Sequence, residues 1–568
     1  MTSTDGLTTQ GLSGSTQVPR STQSIRHHAV AALALLGPFV LCHPSHLIID
    51  NSLARSIAIN SALFVAPGLP IVGVLLTIRL LSRWHLLGAL AASFVVFGLG
   101  VLAVSLAGQS LTPGLLWNFT FGVTAVALIA NWYVGGSATW GLPRARSKLL
   151  IAVPVFAVAY LLFFWGATRV VPAQSDHDLD LQGTAHALLT RLTPSYETPR
   201  GMNYLAHPPL LHAYVAGSFL YFNRLDDLQA FDPASEQALP PEQHWPHHLQ
   251  SPFFVETRTP NIFLGAMTVA LLAVWLSSIT GAWVAVLLAA AYATFPELFS
   301  RFSYGGYFAI SNFFALQIVL AIAGTNAGRE NGRRLTGILV GVLSAWANHK
   351  LVLLPLSLAI WGALTSPNWR NVRASAGRVF HPVVVGFLLG SVSFWAYGLW
   401  VDPTDFLNDH IRHHVVDRIL SENRRAMDLS VYLSFLGLWS EFWRDTSYLL
   451  LPAGALALLR LVIQHPTATH DPIRDDPFGG GFRGLPGFLL IWTAVAGAAF
   501  SVIDWRQTKH LAEILVLAPV IAAALTMKSQ GPLRRLMIGV FVVMLCWNLL
   551  VLNDVAADFD SLVKHPEW

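Results

Sequence analysis

Apolar runs of roughly 18 or more residues with few charges recur along most of this 568-residue chain. Each is long enough to cross about 30 Å of hydrocarbon as a helix. A chain with this many such runs takes a bilayer as its solvent. Only 12% of its residues are charged and 54% are hydrophobic, whereas a soluble protein carries about 25% charged residues. A transmembrane barrel would show alternating polarity in ten-residue segments, and that pattern is absent. The sequence therefore predicts an all-α, polytopic membrane protein with about 14–16 membrane segments and short juxtamembrane helices.

The formal charge of +4 does not point to nucleic acid. The basic residues sit in short loops between apolar runs, as the positive-inside rule expects. Cys42 and Cys546 both lie inside apolar runs, so neither a disulfide scaffold nor a cysteine metal site is indicated. The first 25 residues are rich in Ser, Thr, Gln and Gly and read as a disordered cytoplasmic tail without a cleavable signal peptide.

The expected spans are 28–48, 58–78, 84–107, 113–134, 149–171, 208–223, 260–278, 281–299, 306–324, a split segment 335–364, 380–400, 446–464, 487–503, 511–527 and 536–552. Arg20 and Arg26 place the N-terminus inside, as do Arg79, Arg83, Arg144, Arg146 and Lys148 for the next loops. The run 149–171 then exits, and the stretch after it lies outside. Arg329, Arg333 and Arg334 read as inside, and so do Arg370, Arg373 and Arg378. Segment 335–364 thus has two inside ends and forms a hairpin with Asn348, His349 and Lys350 near its apex. Arms of about 14 residues reach roughly 21 Å, so Lys350 lies below the far surface and needs a polar cavity or an anionic partner. Counting crossings from either side disagrees by one, and the shortest run, 208–223, is the one expected not to span.

The outer stretch Ser175–Leu188, SDHDLDLQGTAHAL, holds Asp176, Asp178 and Asp180 in alternation. On an extended segment these would point one way, whereas on a helix they would diverge. Three readings stand. A carboxylate could act as general base on a hydroxyl, worth about 10²–10⁴-fold. Clustered oxygens could hold a divalent cation. An acidic solvated loop could simply cap the helix that QGTAHALL begins. Composition by itself favours the last. In Tyr204–Tyr214, YLAHPPLLHAY, the prolines suit a first helical turn but leave His207 unexplained. Asp409–Arg425 is charged and mildly amphipathic, an interfacial helix in pattern. His410, His413 and His414 share one face there, which reads as a solvated face before a metal site. HWPHH at 244–248 reads the same way.

The acidic outer stretch followed by HPPL resembles the polytopic GT-C glycosyltransferases, and most closely the protein O-mannosyltransferase and lipid A aminoarabinose transferase branch. TRTPNIFLGAMTVALL, Thr257–Leu272, resembles that family's R-x-P-x-x-L-G helix start. AAAYATFPELFSRFSYGGYF, Ala289–Phe308, resembles its helix ending in a proline turn. GILVGVLSAWANHKLVLLPLSLAIW, Gly337–Trp361, resembles its glycine-rich hairpin with an apical lysine. RQTKHLAEILVLAP, Arg506–Pro519, resembles its late basic helix start. The likeness divides the chain into a tail 1–27, a four-helix membrane extension 28–148, a GT-C-like module 149–552 and a short tail 553–568.

The resemblance implies an inverting enzyme at the outer face of the plasma (inner) membrane. It would take a sugar from a polyprenyl-phosphate lipid and give it to a protein, lipid or glycan acceptor. A carboxylate of the first outer loop would be the base: Asp178, with Asp176 and Asp180 as alternates. Lys350, Arg506 and Lys509, joined by His510, His207 and Arg301, would hold the lipid phosphate. Snorkelling at a helix end is the competing account of each cation. The sequence names no cofactor, and a divalent cation at Asp176, Asp178 and Asp180 stays open. The chain departs from the family in its four extra N-terminal helices, its long 224–258 connector, DHDLD in place of Asp-Glu, and its C-terminus without a soluble domain. A transporter or flippase of a lipid-linked saccharide is the alternative function. Transporters tend to carry internal repeats and broken helices. No repeat is visible, and the acids lie in a loop. A non-catalytic scaffold on the same fold is a third reading.

Overall fold

The structure, a computed structural model, describes residues 20–43, 52–78, scattered positions in 90–100 and 181–188, 112–134, 146–169, 208–222, 254–303, 306–323, 330–366, 372–412 with 416, 450–463, 481–502, 516–528 and 531–557. Among the described residues every regular element is helical. The first part of the chain forms α1 (Arg20–Leu41), α2 (Ser52–Phe64), α3 (Gly68–Thr77), α4 (Pro113–Tyr133) and α5 (Arg146–Arg169). Next come α6 (Leu210–Tyr221), α7 (Phe254–Thr280), α8 (Ala282–Ala293), α9 (Pro296–Ser303) and α10 (Phe308–Ala323). They are followed by α11 (Glu330–Ala347), a 3₁₀ turn (His349–Val352), α12 (Leu353–Leu364), α13 (Val372–Val379), α14 (Pro382–Val401) and α15 (Pro403–Leu407). The last four are α16 (Leu450–Ile463), α17 (Leu485–Val502), α18 (Leu517–Thr526) and α19 (Pro532–Ala557).

Among the described residues, six helical stretches are long and apolar enough to cross a membrane: 52–75, 114–133, 150–168, 255–280, 382–401 and 532–554. A seventh is reached if α8 and α9, bent by 70° at Phe295, count as one broken span. The count covers the described residues alone, and expected spans such as 84–107 lie largely outside them. Seven further apolar helices are shorter than a span, and burial explains three of them. Every residue of α6 except Ala213, and of α18 except Pro519, is buried, as is all of α10 but Leu320 and Ala321. Helices enclosed by protein need not match the hydrocarbon thickness, because neighbours satisfy their ends. Run 208–223 becomes the 12-residue α6, about 18 Å long, and does not reach across.

α11 and α14 form the closest helix pair. Gly337 and Gly341 on one helix, Gly386 and Gly390 on the other, stand four apart, so each pair lines one face. A side chain at Gly386 would strike the Ile338 carbonyl, and one at Gly341 the Val383 carbonyl. Small residues at this spacing let two backbones meet. Gly337 faces Pro382 while Gly390 faces Val342, so the helices run parallel. Trp346 Nε1 donates to Ser393 Oγ at 2.8 Å further up the same seam. Parallel neighbours need a returning connection, and α12 supplies it. Its Gly362 abuts the Arg378 carbonyl, and Arg378 donates to the Thr365 carbonyl at 2.8 Å. The expected hairpin is present, with Asn348–Lys350 at its turn.

The N-terminal helices share one hydrophobic core with the rest, running from Leu35 to Leu552. α2 reaches its centre: Phe64 stacks on Tyr214 of α6 and on Phe263 of α7. Tyr160 of α5 donates to Ser56 Oγ at 2.8 Å.

Candidate active site

The hairpin turn is anchored from below by a buried polar chain. Asn348 is extended at φ −163° and ψ 130°, and its Oδ1 caps the turn by accepting the Lys350 N–H at 3.0 Å. Its Nδ2 donates to Ser311 Oγ at 2.8 Å, and Ser311 Oγ donates to the Tyr307 carbonyl at 2.6 Å. Tyr307 Oη then lies 2.6 Å from His212 Nε2. Asn348, Ser311, His212 and Tyr307 are all buried. Polar side chains inside a membrane bundle are costly unless partnered, and they mark sites that function requires. Three segments far apart in sequence, the HPPL helix α6, the start of α10 after YGGYF, and the NHK turn, are joined here. Tyr292 Oη donates to Asn312 Oδ1 at 2.7 Å and pins α10 to α8 from the other side.

The same corner receives the end of α5, from which the acidic stretch departs. Arg258 on α7 is almost fully buried and donates to the Ala167 carbonyl at 2.8 Å. Its cation thereby meets the negative end of α5. Asn261 Nδ2 donates to the Arg301 carbonyl at 3.0 Å, and Gly265 lets the Phe302 ring close on α7. The sequence places Arg258 and Pro260 at a helix start, but α7 already begins at Phe254. The arginine thus sits in the second turn, where it can reach across to α5.

Of the predicted site residues, the structure describes two. Lys350 is half-buried on the turn. Arg301 is buried inside the bend, its Nε donating to Glu297 Oε1 at 2.9 Å and its guanidinium 5.2 Å from the centre of the Phe308 ring. It staples α9 to α10. Asp176, Asp178, Asp180, His207, Arg506, Lys509 and His510 lie outside the described residues, as do HWPHH, His413 and His414. Among the described residues no group of three His, Cys, Asp or Glu side chains could hold a metal.

The reading of His410 as a solvated face is corrected. Its ring lies 4.4 Å from Phe406, 5.5 Å from Phe394 and 5.7 Å from Trp395, because α15 folds back over the end of α14. Sequence analysis also passed over His212, Tyr307 and Ser311. Their signal was polar residues at helical spacing inside otherwise apolar runs.

Comparison with known proteins returned no matching family model, no matching curated protein and no matching solved structure.

Proposed function

We propose that this protein is a membrane glycosyltransferase that moves a sugar from a polyprenyl-phosphate donor to an acceptor hydroxyl, with inversion. The observation that carries the reading is the buried chain from His212 through Tyr307 and Ser311 to Asn348, which ties three of the resembling motifs to one hairpin turn bearing Lys350. The loop base, Asp178 with Asp176 and Asp180 as alternates, takes the acceptor proton as its oxygen attacks the anomeric carbon. The bond from that carbon to the phosphate oxygen breaks on the opposite face. A phosphodiester monoanion becomes a phosphomonoester dianion, and the Lys350 ammonium stabilises the added charge. Preorganised charge aimed at a developing anion is the largest single source of catalysis in many enzymes. The distribution of Lys and Arg supports an N-terminus inside and this end of the bundle outside, at the plasma (inner) membrane.

One observation favours the transporter reading: the 70° break between α8 and α9. Broken helices are common at transporter sites. Proteoliposomes loaded with a panel of radiolabelled polyprenyl-phosphate sugars separate the two. Sugar freed from its lipid supports the transferase, whereas intact lipid appearing in the opposite leaflet supports transport.

A further inference from the structure

We propose that His410 is a positioning residue for the hairpin turn: it docks the segment after α14 onto His349 and so fixes the turn that carries Lys350. What Lys350 binds rests on the proposed function; the docking itself rests on geometry.

The chain leaves α14 through a tight corner. Asp402 Oδ1 accepts the Asp405 N–H at 3.1 Å and caps α15. Gly398 leaves the space that the fully buried Phe406 ring fills. Residues 408–412 then take a wide π-helical turn, a rare form that is frequent at functional sites. The side chains that face the protein here are polar. Asp409 and His410 are turned inward at 7% and 9% exposure, while Ile411 is 43% exposed.

The inward imidazole meets the hairpin. The rings of His349 and His410 are 6.2 Å apart at 86°, edge to face. Phe394 on α14 touches His410 on one side and Trp346 of α11 on the other, at 5.5 and 6.1 Å. His349 precedes Lys350 directly, and the Lys350 N–H is held by Asn348. The turn is therefore gripped from inside by Asn348 and from outside by His410. Edge-to-face ring contacts are directional, so together they set the orientation of a four-residue turn.

The test is a double-mutant cycle on the full chain in nanodiscs, reading the Kd for a polyprenyl phosphate without sugar. Lys350→Gln is expected to weaken binding about tenfold. His410→Ala should weaken it to a similar extent in the native background, and less than about twofold in the Lys350→Gln background. His410→Phe, which keeps a ring in the cage, should stay within about threefold of the native protein. Equal loss from His410→Ala in both backgrounds would show action independent of Lys350 and overturn the proposal. So would an effect of His410→Phe as large as that of alanine, or a silent His410→Ala. A silent Lys350→Gln would instead refute the phosphate role of Lys350, and with it the proposed function.

Discussion

Each member of the buried polar chain holds more than one neighbour, so removing one leaves another unsatisfied in a dry interior. Asn348→Ala removes the cap on the turn and the donor to Ser311. An orphaned buried polar group costs about 1–3 kcal/mol, and thermal unfolding in detergent should show a loss of that order. Asn348→Asp retains the Oδ1 cap while losing the donor, so it should fall between alanine and the native protein. The Glu297–Arg301 pair makes a sharper case. Both side chains are buried, and breaking such a pair costs about 3–5 kcal/mol because the surviving charge is stranded. Glu297→Ala should therefore lower the yield of folded protein, and Glu297→Gln, which keeps an oxygen that can accept from Arg301 Nε but no charge, should recover only part of it, as size-exclusion profiles would report. Sequence alone marked Lys350 and Arg301 as candidate phosphate ligands and placed Asn348 with Lys350 at the hairpin apex. It could not separate Lys350, on the turn, from Arg301, whose charge is paired with Glu297 on α9 and packs against Phe308 of α10. That distinction depends on which helix lies opposite.

At the scale of elements, the α11–α14 seam is the most demanding contact. Gly386→Val would push a branched side chain into the Ile338 carbonyl. Overpacking costs about 1–3 kcal/mol where side chains can yield, and the obstacle here is backbone, so the loss should exceed that range. The measurement is the fraction of protein remaining monodisperse after mild heating, compared with Gly377→Ala, where nothing lies near. The start of α14 adds a pH dependence. His381 Nδ1 accepts the Val383 N–H at 3.3 Å, which requires a neutral ring. Burial lowers its pKa from the usual 6.5 to about 4. With the folded pKa depressed, the contribution is present above about pH 6.5 and lost as pH falls through about 4. A helix cap is worth about 1 kcal/mol, so stability should decline by that order across the window, and His381→Ala should flatten it. The glycine spacing of the seam was legible from sequence as two G-x-x-x-G repeats. Their parallel pairing was not, because the same spacing serves either orientation.

The whole molecule behaves as one packed body more than as a module with an appendage. α6, which carries His212 into the polar chain, is clamped by the N-terminal helices along its length. Leu63 fills the space over Gly217, and Tyr221 meets Thr120 and Trp117. Arg55 donates to the Phe222 carbonyl at 3.0 Å and lies 5.3 Å from the centre of its ring. Arg55→Ala should therefore impair donor turnover although it sits in the extension, and Arg55→Lys should recover only part, since lysine lacks the planar fork. Proteoliposome kinetics of the three proteins would measure this. At this scale, hydropathy revealed the fold class and most helices, but not which of them are enclosed by protein. It registers apolarity and cannot tell a helix buried in protein from one bathed in lipid. α6, α10 and α18 fall in the first group.

Sugar transfer from a lipid phosphate at the polar end of the bundle, as proposed, requires a loop carboxylate to take the acceptor proton. The most direct measurement is single-turnover release of radiolabelled sugar from its polyprenyl phosphate by the native protein and by Asp178→Asn in the same vesicles. Release is expected from the native protein and should fall by about 10²-fold or more on substitution if the carboxylate is the base. No release from any donor, with intact labelled lipid crossing to the other leaflet, would contradict it.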